Sequence, residues 1–167
     1  MAIFEPIFLA LNQDNVRFVV VGGLATVLHG FARLTADLDL VVDLEPTEAK
    51  KTISVVTALG FRPRAPVDPW GFADASTREA WVKEKGMRVF SLWDPAHPMR
   101  EIDLFIEPPI EFSLLWERSE QLALGATSVR IASIPDLILM KRLAGRPEDL
   151  IDIEALEEIR RRKRQQR

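Results

Sequence analysis

Two aspartates held apart by one leucine, Asp37-Leu38-Asp39, follow a glycine pair, Gly22-Gly23, that closes the apolar run Phe18–Val21. In an extended segment residues two apart share a face, so both carboxylates project to one side while Leu38 points to the core. Two ionised carboxylates side by side repel, and a hard divalent cation between them removes that cost. The glycines stand where a buried strand turns into a helix. Without a Cβ they let an anion approach the free N–H groups and the positive end of the helix dipole. A third acid, Asp103 in "REIDLFIE", is flanked by Ile102 and Leu104 and faces opposite to them. Three carboxylates on neighbouring strands beside a phosphate-binding turn are what two-metal phosphoryl or nucleotidyl transfer requires. There, two Mg²⁺ ions about 3.5–4 Å apart activate the attacking oxygen and neutralise the leaving group.

Each part alone is a weak signal. Eleven Asp in 167 positions give about 0.7 Asp-x-Asp pairs by chance, and Gly-Gly serves any tight strand-to-helix turn. The stretch has neither the Gly-x-x-x-x-Gly-Lys-Ser/Thr phosphate loop nor the Gly-x-Gly-x-x-Gly dinucleotide fingerprint. The absence of Cys excludes disulfides, thiolate catalysis and Cys-ligated zinc or iron, and the absence of Tyr excludes a tyrosyl nucleophile.

The elements that must carry these residues follow from periodicity. Ile3, Phe4, Ile7, Phe8 and Leu11 have helical spacing. Phe18–Val21 reads as a buried strand, Leu24–His29 as a short helix closed by Gly30, and Leu38–Val42 as a second strand. A helix starts at Pro46 and stops at Gly60. Residues 62–76, rich in proline and turn formers, predict a long loop, and Thr77–Lys85 a helix. Arg88–Trp93 and Glu101–Ile106 predict a strand pair with "DPAHPMR" as a wide connection. Helical spacing over Ile110–Leu122, a short strand over Ser128–Ala132, a helix over Ile134–Ala144 and a last amphipathic helix from Pro147 complete the chain. The order predicts an α/β (α+β) domain, a mixed β-sheet flanked by helices with helices at the C-terminal end.

A chain of 167 residues, 47% hydrophobic, can bury one sizeable core. The reading is a single domain over residues 1–159 with a basic C-terminal tail over 160–167. The tail, "RRRKRQQR", leaves residues 1–159 with 16 basic and 25 acidic groups, a net charge of −9. An acidic body argues against a broad nucleic-acid face and suits metal-binding carboxylates. The tail is read as a solvated helix end whose cations suit the negative end of the dipole. The longest apolar stretch, Phe18–Leu28, is too short to span a bilayer, so a soluble, cytoplasmic protein without membrane contact is expected.

Gly22-Gly23, Asp37-Leu38-Asp39-Leu40 and Asp103 together resemble the signature of the DNA polymerase β-like nucleotidyltransferase superfamily. That signature is a hydrophobic residue, Gly-Gly or Gly-Ser, a spacer, a hydrophobic-flanked Asp-x-Asp and a later strand carboxylate. The fuller stretch "VGGLATVLHGFARLTADLDLVVD", with "IPDLILMKRLAGRPEDLIDIEAL", is similar to small bacterial members of the superfamily. These include minimal nucleotidyltransferases, AbiEii-type abortive-infection toxins and aminoglycoside or lincosamide nucleotidyltransferases. The likeness covers most of residues 16–157. One departure is Gly23, where many members have a Ser whose hydroxyl helps to hold the terminal phosphates.

The resemblance implies that Asp37 and Asp39 bind both metals, and that Asp103 binds the catalytic metal and helps to deprotonate the acceptor hydroxyl. Gly22 and Gly23 would contact the triphosphate. Arg33 and Thr35 are candidate phosphate contacts, with surface charge and strand-edge polarity as the other reading. For Lys141 the alternatives are phosphate contact and a solvated helix face; for Arg146 a helix-end pairing with Asp149 is preferred. Asp149 and Asp152 suit the positive start of the last helix. His29 reads as the end of a short helix, and the four tryptophans as packing residues, with Trp70 free to face an acceptor.

The expected activity is a Mg²⁺-dependent nucleotidyl transfer, with Mn²⁺ as the alternative metal. A nucleoside monophosphate would pass from an NTP such as ATP to an acceptor hydroxyl, with pyrophosphate released. The acceptor is open: a tRNA end, a protein side chain or a small molecule. A cognate toxin or antitoxin is the expected protein partner. The competing reading is a non-catalytic nucleotide-sensing or partner-binding module on the same fold.

Overall fold

The protein is described from a computed structural model covering residues 3–165. Helix α1 (Glu5–Gln13) buries Ile7, Phe8 and Leu11 and stacks Phe8 on Phe18 of strand β1 (Phe18–Val20), whose residues are all buried. Helix α2 (Gly22–Leu28) follows directly, then a polar segment leads to β2 (Asp37–Val42). Proline at its first turn and the Glu45 carboxylate, which accepts the Thr47 N–H, start α3 (Pro46–Ala58). Strand β3 (Arg62–Pro63), a 3₁₀ turn (Pro69–Ala73) and α4 (Ala75–Lys85) come next. The hairpin β4 (Val89–Asp94) and β5 (His97–Phe105) precedes α5 (Phe112–Arg118), β6 (Glu120–Leu124) and β7 (Thr127–Ile131). Helices α6 (Ile134–Ala144) and α7 (Pro147–Gln165) close the fold.

The strands form one seven-stranded sheet in the order β3-β4-β5-β2-β1-β7-β6. The β2/β5 and β1/β7 pairs are parallel and the others antiparallel, so the sheet is mixed and the α/β expectation holds. Leu38, Leu40, Ile102 and Leu104 alternate inward and are fully buried, which turns the residues between them to the opposite face. Trp81 and Phe72 stack on Phe90 beneath the β4 side of the sheet, whereas Trp70 is exposed.

Three expectations need correction. Residues 62–76 are not one long loop: Arg62–Pro63 pairs with β4, and Asp68 caps a 3₁₀ turn through the Trp70 N–H. The predicted wide connection before β5 shrinks to Pro95 and Ala96, because His97–Arg100 already belong to the strand. Pro98 is tolerated there since the pairing of β5 with β2 begins only at Glu101, leaving that side of the strand without ladder bonds. The predicted helix over Ile110–Leu122 ends at Arg118. Glu120–Leu124 pairs with β7 instead, tertiary pairing overriding the helical preference of Glu, Gln, Leu and Ala.

The basic segment 160–165 continues α7, with Arg161 and Arg162 paired to Glu158 and Lys163 to Glu120. Residues 166–167 of that segment lie outside the described residues. Among the described residues no helix is long and apolar enough to cross a membrane.

Candidate active site

The parallel register of β2 and β5 sets Asp39 directly opposite Asp103 and Asp37 opposite Glu101. Side chains paired in this way lie on the same face, so the sheet carries a two-by-two block of carboxylates. Asp39 and Asp103 are half-buried and Asp37 is exposed. Burial, then the charges of Asp103 and Asp37, push the Asp39 carboxyl up from its ordinary 3.8 to about 6, against the opposing Arg146 charge and Gly23 N–H. Burial also raises Asp103, opposed mainly by the polar side chain of Ser91 at the facing β4 position. Among the described residues Asp103 Oδ1 is buried without a hydrogen-bond partner. A buried carboxylate oxygen left unpaired is costly, and a cation is the ordinary remedy.

Glu101, the fourth acid, stands outside the expected set, although its position two residues before Asp103 repeats the Asp37/Asp39 spacing. It accepts from Arg64 Nε at 3.0 Å and Nη2 at 2.7 Å, and the same guanidinium lies 5.3 Å from the centre of the Trp93 ring.

The glycine turn is shaped by close approach. Gly22 has φ of +64°, and a Cβ placed on it would lie 1.9 Å from Asp39 Oδ2. Gly22→Ala should therefore lose about 1–3 kcal/mol of stability from backbone strain alone and displace the Asp39 carboxylate. A melt together with a turnover assay checks this; unchanged values in both would show that the turn does not depend on a missing Cβ. At Gly23 a Cβ would meet Thr35 Oγ1 at 2.7 Å and Arg33 Cζ at 3.6 Å. A side chain at this position would thus press on Thr35, and Thr35 and Arg33 lie beside this turn.

The cations sit in a buried network. Lys141, 4% exposed, places Nζ 2.6 Å from Asp152 and 3.4 Å from Asp149, which are themselves 2% and 1% exposed. Arg33 pairs with the same Asp152 oxygen as Lys141. Arg146 Nε bonds Asp149 at 3.0 Å, the expected helix-end pairing, and its charge also reaches Asp39. Burial alone would raise Asp149, but the bonds and charges of Arg146, with the Lys141 charge, hold it below the usual carboxyl range. Asp149 and Asp152 thus do more than complement the helix dipole: they anchor three cations. His29, at the end of α2, donates from Nε2 to the Ala132 carbonyl, and burial lowers its pKa.

A cavity of about 490 Å³ brings the two halves together. Gly22, Asp39 and Asp103 line it with Lys141 and Arg146, and Phe105, Leu137 and Met140 help to form its apolar side. Arg88, absent from the expected set, also lines it. Thr35, Arg33 and Asp37 stand beside the acidic pair and outside this lining. Among the described residues no group of three His, Asp or Glu side chains converges as a metal cage.

A mixed sheet with an acidic pair on one strand, a third acid on its parallel neighbour and a glycine turn beside them is the architecture of a nucleotidyltransferase. The sequence profile described as "Nucleotidyl transferase AbiEii toxin, Type IV TA system" matches residues 7–165, and the chain belongs to that family. It is a nucleotidyltransferase enzyme within the DNA polymerase β-like superfamily.

Solved structures share the fold. The lincosamide antibiotic adenylyltransferase LnuA, with lincomycin bound, is 14% identical with a TM-score of 0.61, over 94% of this chain and 95% of that one. ANT(2'')-Ia in complex with adenylyl-2''-tobramycin is 14% identical with a TM-score of 0.59, over 99% and 97%. An antigenic nucleotidyltransferase-like protein from Paracoccidioides brasiliensis is 16% identical with a TM-score of 0.59, over 93% and 73%. No curated protein sequence matches the chain significantly.

Proposed function

We propose that the enzyme transfers a nucleoside monophosphate from an NTP to an acceptor hydroxyl, using Asp37, Asp39 and Asp103 and a divalent cation, Mg²⁺ or Mn²⁺. The observation that carries the reading is the Asp39/Asp103 juxtaposition, with an unpartnered buried oxygen on Asp103. The donor set is all oxygen, which suits Mg²⁺. When bound, the metal supplies charge neutralisation and activation of the attacking and leaving oxygens.

The chain's own groups divide the remaining tasks. The Gly22–Gly23 turn, whose Gly23 N–H already bonds Asp39, receives the triphosphate, flanked by Arg33 and Thr35. Asp103 draws the proton from the acceptor hydroxyl. Lys141 adds positive charge to the phosphate side of the cavity and is positioned there by Asp149 and Asp152. The apolar wall receives the nucleoside. The family description supports a role in a toxin–antitoxin pair with a cognate protein partner, and the names of the antibiotic-modifying neighbours support a small hydroxyl compound as one acceptor class. A tRNA end and a protein side chain are the other classes. The oxygen-ligand chemistry and the acidic body suit a cytoplasmic, Mg²⁺-supplied setting.

Incubation with Mg²⁺ and each NTP labelled on its α-phosphate, offering RNA, protein and small hydroxyl compounds in turn, should label one pool and fail in chelator. Asp103→Asn should keep nucleotide affinity within a few-fold while transfer falls by roughly 10²–10⁴. Equal labelling in chelator would overturn the metal, and full turnover in Asp103→Asn would remove that residue from the chemistry.

A further inference from the structure

A second cavity, of about 370 Å³, shares no lining residue with the catalytic one. It is an open depression lined by Leu59 and Gly60 from the end of α3, Arg62 from β3, and Asp94, His97 and Arg100 around the β4–β5 turn, most of them exposed. It lies at the opposite end of β5 from Asp103. Arg100 stands three positions before Asp103 on that strand, about 10 Å at the usual rise per residue.

Charge and hydrogen bonding in this cavity are unbalanced. Asp94 is buried, and its two oxygens are taken by the Ala96 N–H at 2.9 Å and by the His97 ring N–H at 2.9 Å. Arg100 approaches it only through Nη1, at 3.7 Å, beyond hydrogen-bonding range. Arg100 Nε is buried with no acceptor among the described residues, although its side chain is 27% exposed. Arg62 is exposed and joins neither of the ion pairs made by its neighbours Arg64 and Arg100. The end of α3 contributes little opposing charge, because the Val55, Val56 and Thr57 carbonyls already accept from Leu59, Phe61 and Gly60. Two guanidiniums therefore face the cavity against one committed carboxylate. Buried donors almost always have an acceptor, and Arg100, whose Nε lacks one, together with Arg62 beside it makes a site of the charge an oxyanion needs.

We propose that this cavity is a second, non-catalytic binding site for a phosphoryl oxyanion, with Arg100 and Arg62 as its ligands and His97 at its rim. The phosphoryl group is either free phosphate or the phosphodiester of a larger acceptor. The site shares no lining residue with the catalytic cavity, so its anion binding stands apart from the transfer chemistry.

Heteronuclear NMR of the full-length protein, following the Arg100 Nε–H resonance, tests it with inorganic phosphate as the probe and chloride at matched ionic strength as the control. A saturable shift is expected with phosphate alone. Its midpoint should weaken by about tenfold or more in Arg62→Gln and stay unchanged in Asp39→Asn, which separates this site from anion binding at the catalytic turn. Arg62 is exposed, so its substitution leaves the fold intact and keeps the test decisive. A shift reproduced by chloride, or a midpoint indifferent to Arg62→Gln, would overturn the proposal. A short oligoribonucleotide without terminal phosphate forms the second arm: binding tighter than phosphate, lost in Arg62→Gln, assigns the site to an acceptor backbone, and binding by phosphate alone assigns it to the free anion.

Discussion

Asp39→Asn is expected to abolish transfer and, in chelator, to make the protein more stable at neutral pH. Burial and the facing Asp103 hold the Asp39 carboxyl at about 6 instead of 3.8, so the folded state binds more protons than the unfolded state between those values. Stability contributed by this group is therefore full below its unfolded pKa, falls as pH rises through that window, and stays low above it. A shift of about two units corresponds to about 2–3 kcal/mol. Asn keeps the size and an acceptor for the Gly23 N–H and loses only the charge. The variant should thus gain up to about 2 kcal/mol near neutrality, a gain that vanishes in acid. Thermal melts across pH in chelator, with a labelled-NTP assay alongside, provide the measurement. A variant destabilised at every pH would mark Asp39 as a structural group.

The second large effect should come from Lys141→Met. Its ammonium bonds Asp152 at 2.6 Å, sharing that oxygen with Arg33, and lies beside Asp149, and both acids are almost fully buried. Removing one member of a buried ionic cluster leaves uncompensated charge, at a cost of about 3–5 kcal/mol. Arg33 and Arg146 remain on the two acids and set the lower end of that range. Adding Asp152→Asn to Lys141→Met should restore much of the stability, since the stranded charge is then gone. Transfer should stay low in the double variant if Lys141 also faces phosphate. A single variant that melts like the parent would show that the cluster carries no net stabilisation.

The legible parts of this molecule are those whose signal is local. Phe18–Val20, Leu38–Val42 and the alternation around Asp103 declare strands through period-two patterning, and the Asp37/Asp39 pair is visible because that period is intrinsic to one strand. The Arg146–Asp149 bond was readable from a three-residue spacing at a helix start. Non-local features were not readable. Glu101 stands in plain view, yet only the parallel β2/β5 register makes it a neighbour of Asp37. The partnership of Arg33 and Lys141 on one Asp152 oxygen joins segments far apart in sequence. Glu120–Leu124 has the composition of a helix and becomes a strand only because β7 offers it an edge.

The bridge from Arg33 to Asp152 spans 119 residues, and β1 takes its parallel partner β7 from a comparable distance. Closing such loops is slow and comes late, after local hairpins and helices have formed. During synthesis the glycine turn and all three aspartates therefore leave the ribosome well before the acids of α7 that hold Arg33 and Lys141 in place. A nascent chain halted anywhere short of α7 carries every carboxylate of the site without the clamp that orders its cationic side. The order of translation itself thus delays the assembled site until α7 has been made.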